Sequence, residues 1–527
     1  MPFYNEAKQG RGETQKEAYV GNSLYVKINE RDNVAIALHD IAEGTDIGGG
    51  VLAQHDIPQA HKVTLVDIPK GGEVIRYGVT LGYAKADTPA GSWINEDSLE
   101  LPTPPGLDEM EWGTNVEVNL PTPPITTWEG YRNPEPGQPA GTRNLLGIQT
   151  TVQCVTGVVN VAVDRIKREL LPKYPHVDGV VAINHAYGCG VAINAREAYI
   201  PQRILRNIAK HPNFGGELMV VGLGCEKFSP EMFLEDRPED NNPDNVVILQ
   251  EEHGFDAMVD AIMRMAETKL EHLNQRRRET LPLSDLLVGM ECGGSDAFSG
   301  VASNPSIGYC ADLIVSGGGT VMFSEVTEVR DAVYLLAKRC VDEPTMRKLA
   351  DEMRWYDKYL ADGGADRSAN PSPGNHAGGL SNIVEKAMGS IAKGGTAPIV
   401  EVLSPGERPT KHGLIYAATP ASDIVSGPCQ LASGMGAQCF TTGRGTPYGL
   451  AMVPVLKVCS RSEVKEQWPD LIDVNAGPVS SGERTIAEVG TELFRKVIDC
   501  ASGRDKSFAE QHGIANDLCI FNPAPIT

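Results

Sequence analysis

The sequence predicts an α/β protein with a small N-terminal β domain, a Pro-rich linker, and then α/β domains built on a largely parallel, Rossmann-like sheet. Three observations predict it. Short strand-like runs separated by Gly, Pro and Asp turn signals fill the start of the chain, and nine prolines crowd the stretch from Pro102 to Pro139. Beyond them, apolar runs alternate with helix-period segments, the pattern of βαβ units. At 527 residues the chain exceeds the roughly 250–300 at which one core stops growing. The expected division is 1–104 for the β domain, 105–130 for the linker, 131–281 for a second α/β domain and 282–527 for a C-terminal α/β catalytic domain.

In the first segment the strand signals are residues 33–38, 62–67 and 73–77. The Pro104-Pro105 and Pro123-Pro124 pairs suit a stiff extended connector, because proline blocks both a helix interior and a central strand. Helix periodicity follows at 158–170, 197–210 and 255–275. A boundary is expected near Pro282, and strands after it at 286–290, 313–315, 321–324, 399–403 and 438–441.

The formal net charge of -22, from 47 basic and 69 acidic residues, argues against general binding to nucleic acid or to an anionic membrane. A local basic pocket for a small acidic substrate remains compatible with it. The polar start Met1-Pro2-Phe3-Tyr4-Asn5-Glu6-Ala7-Lys8 lacks the apolar core of a leader, and no run reaches the length of a membrane helix. A cytoplasmic protein is expected, with its eleven cysteines reduced and no disulfide framework.

Four of those cysteines each follow a short apolar run: Cys154, Cys189, Cys225 and Cys292. Ligands of open parallel sheets bind beyond the carboxyl ends of the strands. Four soft donors, with His185, Glu226 and Asp296 beside them, therefore point to a metal-dependent active site in one crevice. Thiolate and imidazole suit iron better than magnesium, and cysteines also hold iron–sulfur clusters. Each cysteine taken alone reads more readily as a small buried hydrophobe than as a ligand; the four together, each after a strand-like run, favour metal. His185 stands open between ligand, base and structural residue.

Arg444, among the glycines of Thr441-Thr442-Gly443-Arg444-Gly445, reads as a carboxylate clamp. Arg143 reads as a weaker candidate that could instead pair with a structural carboxylate, and Lys386 and Lys411 as possible substrate contacts. Glu325 and Glu328 fit either metal carboxylates or a helix N-terminus. The glycines at 317–319 lack the residues that complete a phosphate loop or a dinucleotide site, which weighs against a nucleotide-dependent oxidoreductase. Arg276-Arg277-Arg278 ends a helical segment and complements its dipole.

Several stretches carry a family resemblance. Asn184-His185-Ala186-Tyr187-Gly188-Cys189-Gly190, Gly222-Leu223-Gly224-Cys225-Glu226, Cys292-Gly293-Gly294-Ser295-Asp296 and Leu414-Ile415-Tyr416-Ala417-Ala418-Thr419-Pro420-Ala421-Ser422-Asp423 resemble the galactarate and altronate dehydratase family, from about Asn33 to the C-terminus. The resemblance implies a hydro-lyase that converts galactarate, a six-carbon sugar diacid, to 5-dehydro-4-deoxyglucarate, with iron(II) or another divalent metal. It also implies a homodimer and an N-terminal β-clip (SAF-like) domain, matched by Ile57-Pro58-Gln59-Ala60-His61-Lys62. Ala60 stands where the family usually has glycine, and would cost energy if φ is positive there. His61 and Lys62 either form a solvated turn or are delivered to the crevice as acid and base when the small domain closes.

The chemistry constrains the site independently. Removing a proton α to a carboxylate requires a cation to stabilise the enediolate, an acid to help the β-hydroxyl leave, and a cationic clamp for the remote carboxylate. Altronate is the rival substrate within the family, a sulfonate-eliminating lyase is more distant, and a non-catalytic sugar-acid-binding protein is the alternative outside enzymology.

Overall fold

The computed structural model describes residues 24–113 and 118–527; the polar start at residues 1–8 lies outside them. The N-terminal strands are β1 (Tyr25–Val26), β2 (Val34–Ala37), β3 (Asp46–Gly48), β4 (Val51–Leu52), β5 (Lys62–Thr64), β6 (Glu73–Arg76), β7 (Val79–Ala84), β8 (Trp93–Ile94) and β9 (Leu99–Glu100). They form antiparallel sheets in the orders β1-β2-β5-β8 and β6-β7-β9, with β3-β4 as a hairpin. Ala60 sits at φ 71°, so the turn before His61 is left-handed and the alanine bears the strain expected of it, roughly 1–2 kcal/mol.

This small domain does not close its own core. Val384 from the C-terminal domain packs with Val34, Ile68, Val74 and Leu81, and Ala297 and Phe298 pack with Val26, Ile36 and Ala60. Tyr77 enters where glycines leave room: a Cβ on Gly300 would lie 2.4 Å from its hydroxyl. At the centre of the seam, Lys62 donates to Glu385 Oε2 at 2.8 Å and to Gly379 O at 2.5 Å, while Arg76 pairs with Glu385 Oε1 and donates to Ala297 O at 2.9 Å. The Lys62 and Glu385 side chains are both 0% exposed.

The Pro-rich connector lies along the C-terminal domain. Arg367 donates to Pro102 O, Arg330 to Pro105 O and Ser316 to Pro121 O. It ends in β10 (Thr127–Gly130), which pairs antiparallel with β15 (Glu279–Pro282). Between these, β11 (Leu145–Thr150), β12 (Gly179–Ile183), β13 (Val220–Gly222) and β14 (Val246–Ile248) form a parallel sheet in the order β12-β11-β13-β14. Helices α1 (Thr156–Arg165) and α3 (Phe255–Leu273) bury one stripe each against it, and α2 (Tyr199–Ala209) packs on the next domain.

The last domain is a seven-stranded parallel sheet. Its strands are β16 (Leu287–Cys292), β17 (Thr320–Ser324), β18 (Ile399–Leu403), β19 (Leu414–Ala417), β20 (Ala437–Thr442), β21 (Val455–Cys459) and β22 (Val474–Asn475), in the order β18-β19-β17-β16-β20-β21-β22. The chain builds from the central β16 to one edge, then crosses to the other side at β20. Neighbouring connections therefore diverge at the carboxyl ends of β16, β17 and β20, the topological switch point where such sheets open a crevice.

One expected strand is a correction. Residues 313–315 lie inside helix α4 (Ser303–Ser316), which is buried from Ser303 through Gly308 and from Cys310 through Ile314. A helix covered on nearly every side shows no polar stripe, so a short apolar run within it reads as a buried strand.

Burial opposes the Glu385 charge, but Lys62 and Arg76 outweigh it and hold the carboxyl at about 2, below its ordinary 4.5. Its stabilising contribution is therefore complete above about pH 5 and lost as pH falls toward 2. Glu385→Gln strands two buried cations and is expected to cost about 3–5 kcal/mol, read as a lowered denaturant midpoint. Lys62→Met leaves Arg76 on the carboxylate and is expected to cost less.

Candidate active site

A cleft of about 650 Å³ opens at the switch point, walled by Cys292, Glu328, Asn370, Asn375, Lys386, Asp423 and Arg444 among others. Strand β16 delivers Glu291 and Cys292 as its last two residues, and the glycine that follows is dictated by packing. A Cβ on Gly293 would stand 2.2 Å from Asp423 Oδ2. Glu325 is the first residue beyond β17 and adopts φ 82°, a left-handed backbone that is strained for glutamate and held by its surroundings. Its amide donates to Thr419 Oγ1 at 3.2 Å.

Helix α5 (Ile383–Ser390) is capped by Asn382, which accepts from Glu385 N at 3.1 Å. It presents Glu385 to the small domain and Lys386 to the cleft. Helix α6 (Asp423–Ala432) begins with Asp423 itself.

Opposite charges interlock below the cleft. Lys386 Nζ lies 2.8 Å from Glu328 Oε1 and donates to Asn370 Oδ1 at 2.8 Å and Asn375 Oδ1 at 3.2 Å. Lys393, fully buried, pairs with Glu325 and donates to Cys292 Sγ at 3.3 Å. Cys292 and Ser390 both donate to Glu328 Oε2, at 3.0 and 3.2 Å. Glu291 Oε2 accepts from Ser426 at 2.9 Å and Gln430 at 2.7 Å.

These groups split in protonation. Burial disfavours the Glu328 carboxylate, yet Lys386 and Lys393 hold it at about 2. Burial, reinforced by Glu328, pushes Glu325 up to about 8 and Asp423 to about 6. Glu291 is driven well above the carboxylate range by burial and by Glu325. Burial and the Glu328 charge also push the Cys292 thiol up.

Two donor sets have atoms within 4.8 Å of one another, Cys292–Glu325–Glu328 and Glu291–Glu325–Asp423. The Lys393 ammonium already fills the role of cation for the first. The second retains two buried oxygens without a hydrogen-bond partner, Glu291 Oε1 and Glu325 Oε1. Three crowded carboxylates, two of them with orphaned oxygens, fit a divalent cation.

Among the residues singled out from sequence, Cys292, Lys386 and Arg444 share this cleft, with Arg444 donating to Gly374 O at 2.8 Å. Glu325 and Glu328 lie in its buried floor. His61 is placed on the domain seam, where its Nδ1 accepts from Trp93 Nε1 at 3.1 Å and its ring also bonds the Ala377 backbone. Lys62 is committed to Glu385. Arg143 pairs with Glu510 at 2.6 Å, and Lys411 donates to Val400 O at 3.1 Å.

His185 is buried in the second domain. Its Nε2 sits 2.7 Å from Thr150 O and its Nδ1 accepts from Tyr187 N, and burial lowers its pKa to about 4. Cys154, Cys189 and Cys225 belong to that second sheet and are exposed, whereas Cys292 is buried in the C-terminal one. Of the four cysteines only Cys292 lines this cleft, and two different sheets supply them. Glu291, Asp423 and Lys393 were missed. Their signal was charge beside apolar strand or helix runs, which single-chain periodicity does not assign to a common site.

The comparisons agree with this architecture. Residues 23–102 match the altronate/galactarate dehydratase SAF domain, 130–274 the D-galactarate dehydratase/altronate hydrolase second domain, and 283–526 the D-galactarate/altronate dehydratase C-terminal domain. Galactarate dehydratase (L-threo-forming) of Escherichia coli K12 is 55% identical over 513 residues, 96% of this chain and 98% of that protein. The chain belongs to the galactarate/altronate dehydratase family. Altronate dehydratase of Bacillus subtilis 168 is 33% identical across 91% of this chain and 95% of its own length. The β subunit of (2R)-sulfolactate sulfo-lyase from Chromohalobacter salexigens is 30% identical over 48% of this chain and 66% of its own.

Thiol reactivity checks the site's burial. In metal-free protein, iodoacetamide is expected to label the exposed Cys154, Cys189, Cys225 and Cys519 first and to spare Cys292 until denaturant is added, as read by peptide mass mapping.

Proposed function

We propose that this chain is a metal-dependent hydro-lyase that dehydrates galactarate to 5-dehydro-4-deoxyglucarate in the cleft at the C-terminal switch point. The carrying observation is the pairing of two cationic side chains, Lys386 and Arg444, with a carboxylate cluster in one cleft. A diacid needs a cation at each end, which Arg444 and an ion held by the carboxylate cluster would supply, with Lys386 between them. Support also comes from the high identity, across nearly the full length of both chains, to a relative named for galactarate rather than altronate.

Glu291, Glu325 and Asp423 would hold the divalent cation, with iron(II) as the ion the family implies and other divalent metals admitted by the oxygen donors. When bound, that ion stabilises negative charge on the carboxylate next to the reacting carbon. Arg444 takes the remote carboxylate through its planar fork of donors. Lys386 works against its burial through Glu328, which raises its pKa and keeps it protonated. It therefore serves as the proton donor at the leaving β-hydroxyl. Asn370 and Asn375 fix its ammonium and leave no slack in its position.

The α-proton passes to a carboxylate of the cluster, the β-hydroxyl leaves as water with the proton from Lys386, and the enol that remains relaxes to the keto acid without a redox cofactor. His61, Lys62, His185 and Arg143 lie outside the cleft lining and take no step of this reaction. A homodimer and a cytoplasmic location accompany the proposal; among the described residues no helix is long and apolar enough to cross a membrane.

The test is a 2-keto-acid assay on anaerobically purified protein loaded with iron(II), with galactarate, altronate and glucarate in parallel and a chelator control. Chelator-sensitive turnover of galactarate is expected, and turnover of altronate alone would overturn the substrate assignment. Arg444→Met is expected to raise KM for galactarate about 10–100-fold, the worth of a charge-assisted contact. Lys386→Met is expected to lower kcat about 10²–10⁴-fold, as loss of a general acid does.

A further inference from the structure

The three cysteines left over from the cleft are not scattered. Strands β12, β11 and β13 are adjacent and parallel, with Gln149 of β11 in register with Ile183 on one side and Val220 on the other. Their carboxyl ends therefore emerge side by side, and Cys189, Cys154 and Cys225 follow on the loops from those three ends.

The loops are knotted together at residues next to the thiols. Gly188 lies so close to the β11 loop that a Cβ there would stand 2.0 Å from Thr151 O and 3.1 Å from Val152 Cα. Its own carbonyl accepts Lys227 N at 3.0 Å and Phe228 N at 3.2 Å. Thr151 bonds Glu226 directly, and Glu226 folds its own loop by accepting Leu223 N at 3.0 Å and Gly224 N at 2.7 Å. His185 ties the β12 loop to Thr150 O. One residue, Gly188, thus touches both neighbouring loops, and each contact falls within three positions of a cysteine.

Cysteine is ordinarily among the most buried residues, and seven of this chain's are buried. The three at this sheet end are exposed and unpaired, so the ordinary reading as small core hydrophobes does not hold for them. They are absent from the donor groups gathered within 4.8 Å, so the loops do not draw all three into the tight shell of a single ion. A multi-iron core binds each thiolate to a different iron and bridges a wider gap. Gly188 (φ 110°) and Gly190 (φ 64°) flank Cys189, and Gly224 (φ 118°) precedes Cys225. Such left-handed glycines turn backbone amides into the concavities that accept cluster sulfides.

From this we infer that Cys154, Cys189 and Cys225 form an iron–sulfur cluster site on the second domain, separate from the carboxylate cleft. Three thiolates ligate three irons of a four-iron core and leave the fourth facing solvent with a small oxygen ligand. The site does not depend on the galactarate reading, because it is assigned from thiol placement alone.

The test is anaerobic reconstitution of the full chain with iron(II), sulfide and a thiol reductant, followed by desalting. About four irons and four acid-labile sulfides per chain, with broad visible absorption, are expected for the wild type. Cys154→Ser, Cys189→Ser and Cys225→Ser should each lose most of both, while Cys292→Ser and Cys519→Ser should keep them. Circular dichroism of the apo variants checks that the fold persists; a variant that fails this is replaced by the alanine substitution at the same position.

Iron taken up without sulfide, full retention in any of the first three variants, or loss in Cys292→Ser or Cys519→Ser would each overturn the assignment. Because the readout is iron and sulfide, a negative result here is distinguishable from failure of the dehydratase assay.

Discussion

The cleft depends on one charge that water does not reach. Glu385 sits between Lys62 and Arg76 at the seam of two domains, and the next residue on the same helix is Lys386. Successive side chains on a helix point about 100° apart, so α5 can face the β domain with one and the cleft with the next. The docking of the small domain and the position of the cationic group in the cleft are therefore one mechanical problem. The constraint is asymmetric: a buried pair adds little against a well-packed apolar seam, but removing one partner leaves charge in a dry site. The β domain is built into the wall behind helix α5.

Exclusion of water also explains the protonation pattern of the floor. Strands β16 and β17 end within one crevice because the chain leaves the centre of the sheet in both directions from β16. Their terminal glutamates, joined by Asp423 from α6, arrive without enough cations to ionise them all. Lys386 and Lys393 satisfy Glu328 and Glu325 first. Glu291 Oε1 and Glu325 Oε1 are left buried without a hydrogen-bond partner.

How much of this was legible in the sequence follows from the range of each signal. Alternation of strands and helices is local, so β16, β17, β18 and β20 and the helices of the second domain stood near their expected positions. Helix α4 was misread at its apolar end because burial on all sides erases periodicity. Arg444 and Cys292 were legible as candidates because they lie at glycine-rich strand ends, whereas Lys386 sits on helix α5 and stood out only as a cation that the structure brings to the same cleft. Lys62 and His61 looked like a solvated or mobile turn, since the carboxylate and the carbonyls that hold them come from the other end of the chain. The strand-end rule placed Cys154, Cys189, Cys225 and Cys292 at or just beyond strand ends, but nothing in spacing says which sheet a strand joins.

That division between sheets has a chemical logic. A thiol becomes a good ligand only as a thiolate, and the cleft is a poor place to make one. Cys292 is buried beside the Glu328 carboxylate, both of which push its proton on, and Lys393 divides its charge between it and Glu325. The floor of the cleft therefore offers oxygen donors, and with them a preference for hard cations. The three thiols of the second sheet are exposed and lie away from these buried carboxylates. Soft-metal chemistry, if placed among the buried carboxylates, would compete with the lysines that hold those carboxylates apart; placed on the neighbouring sheet, it leaves that balance untouched.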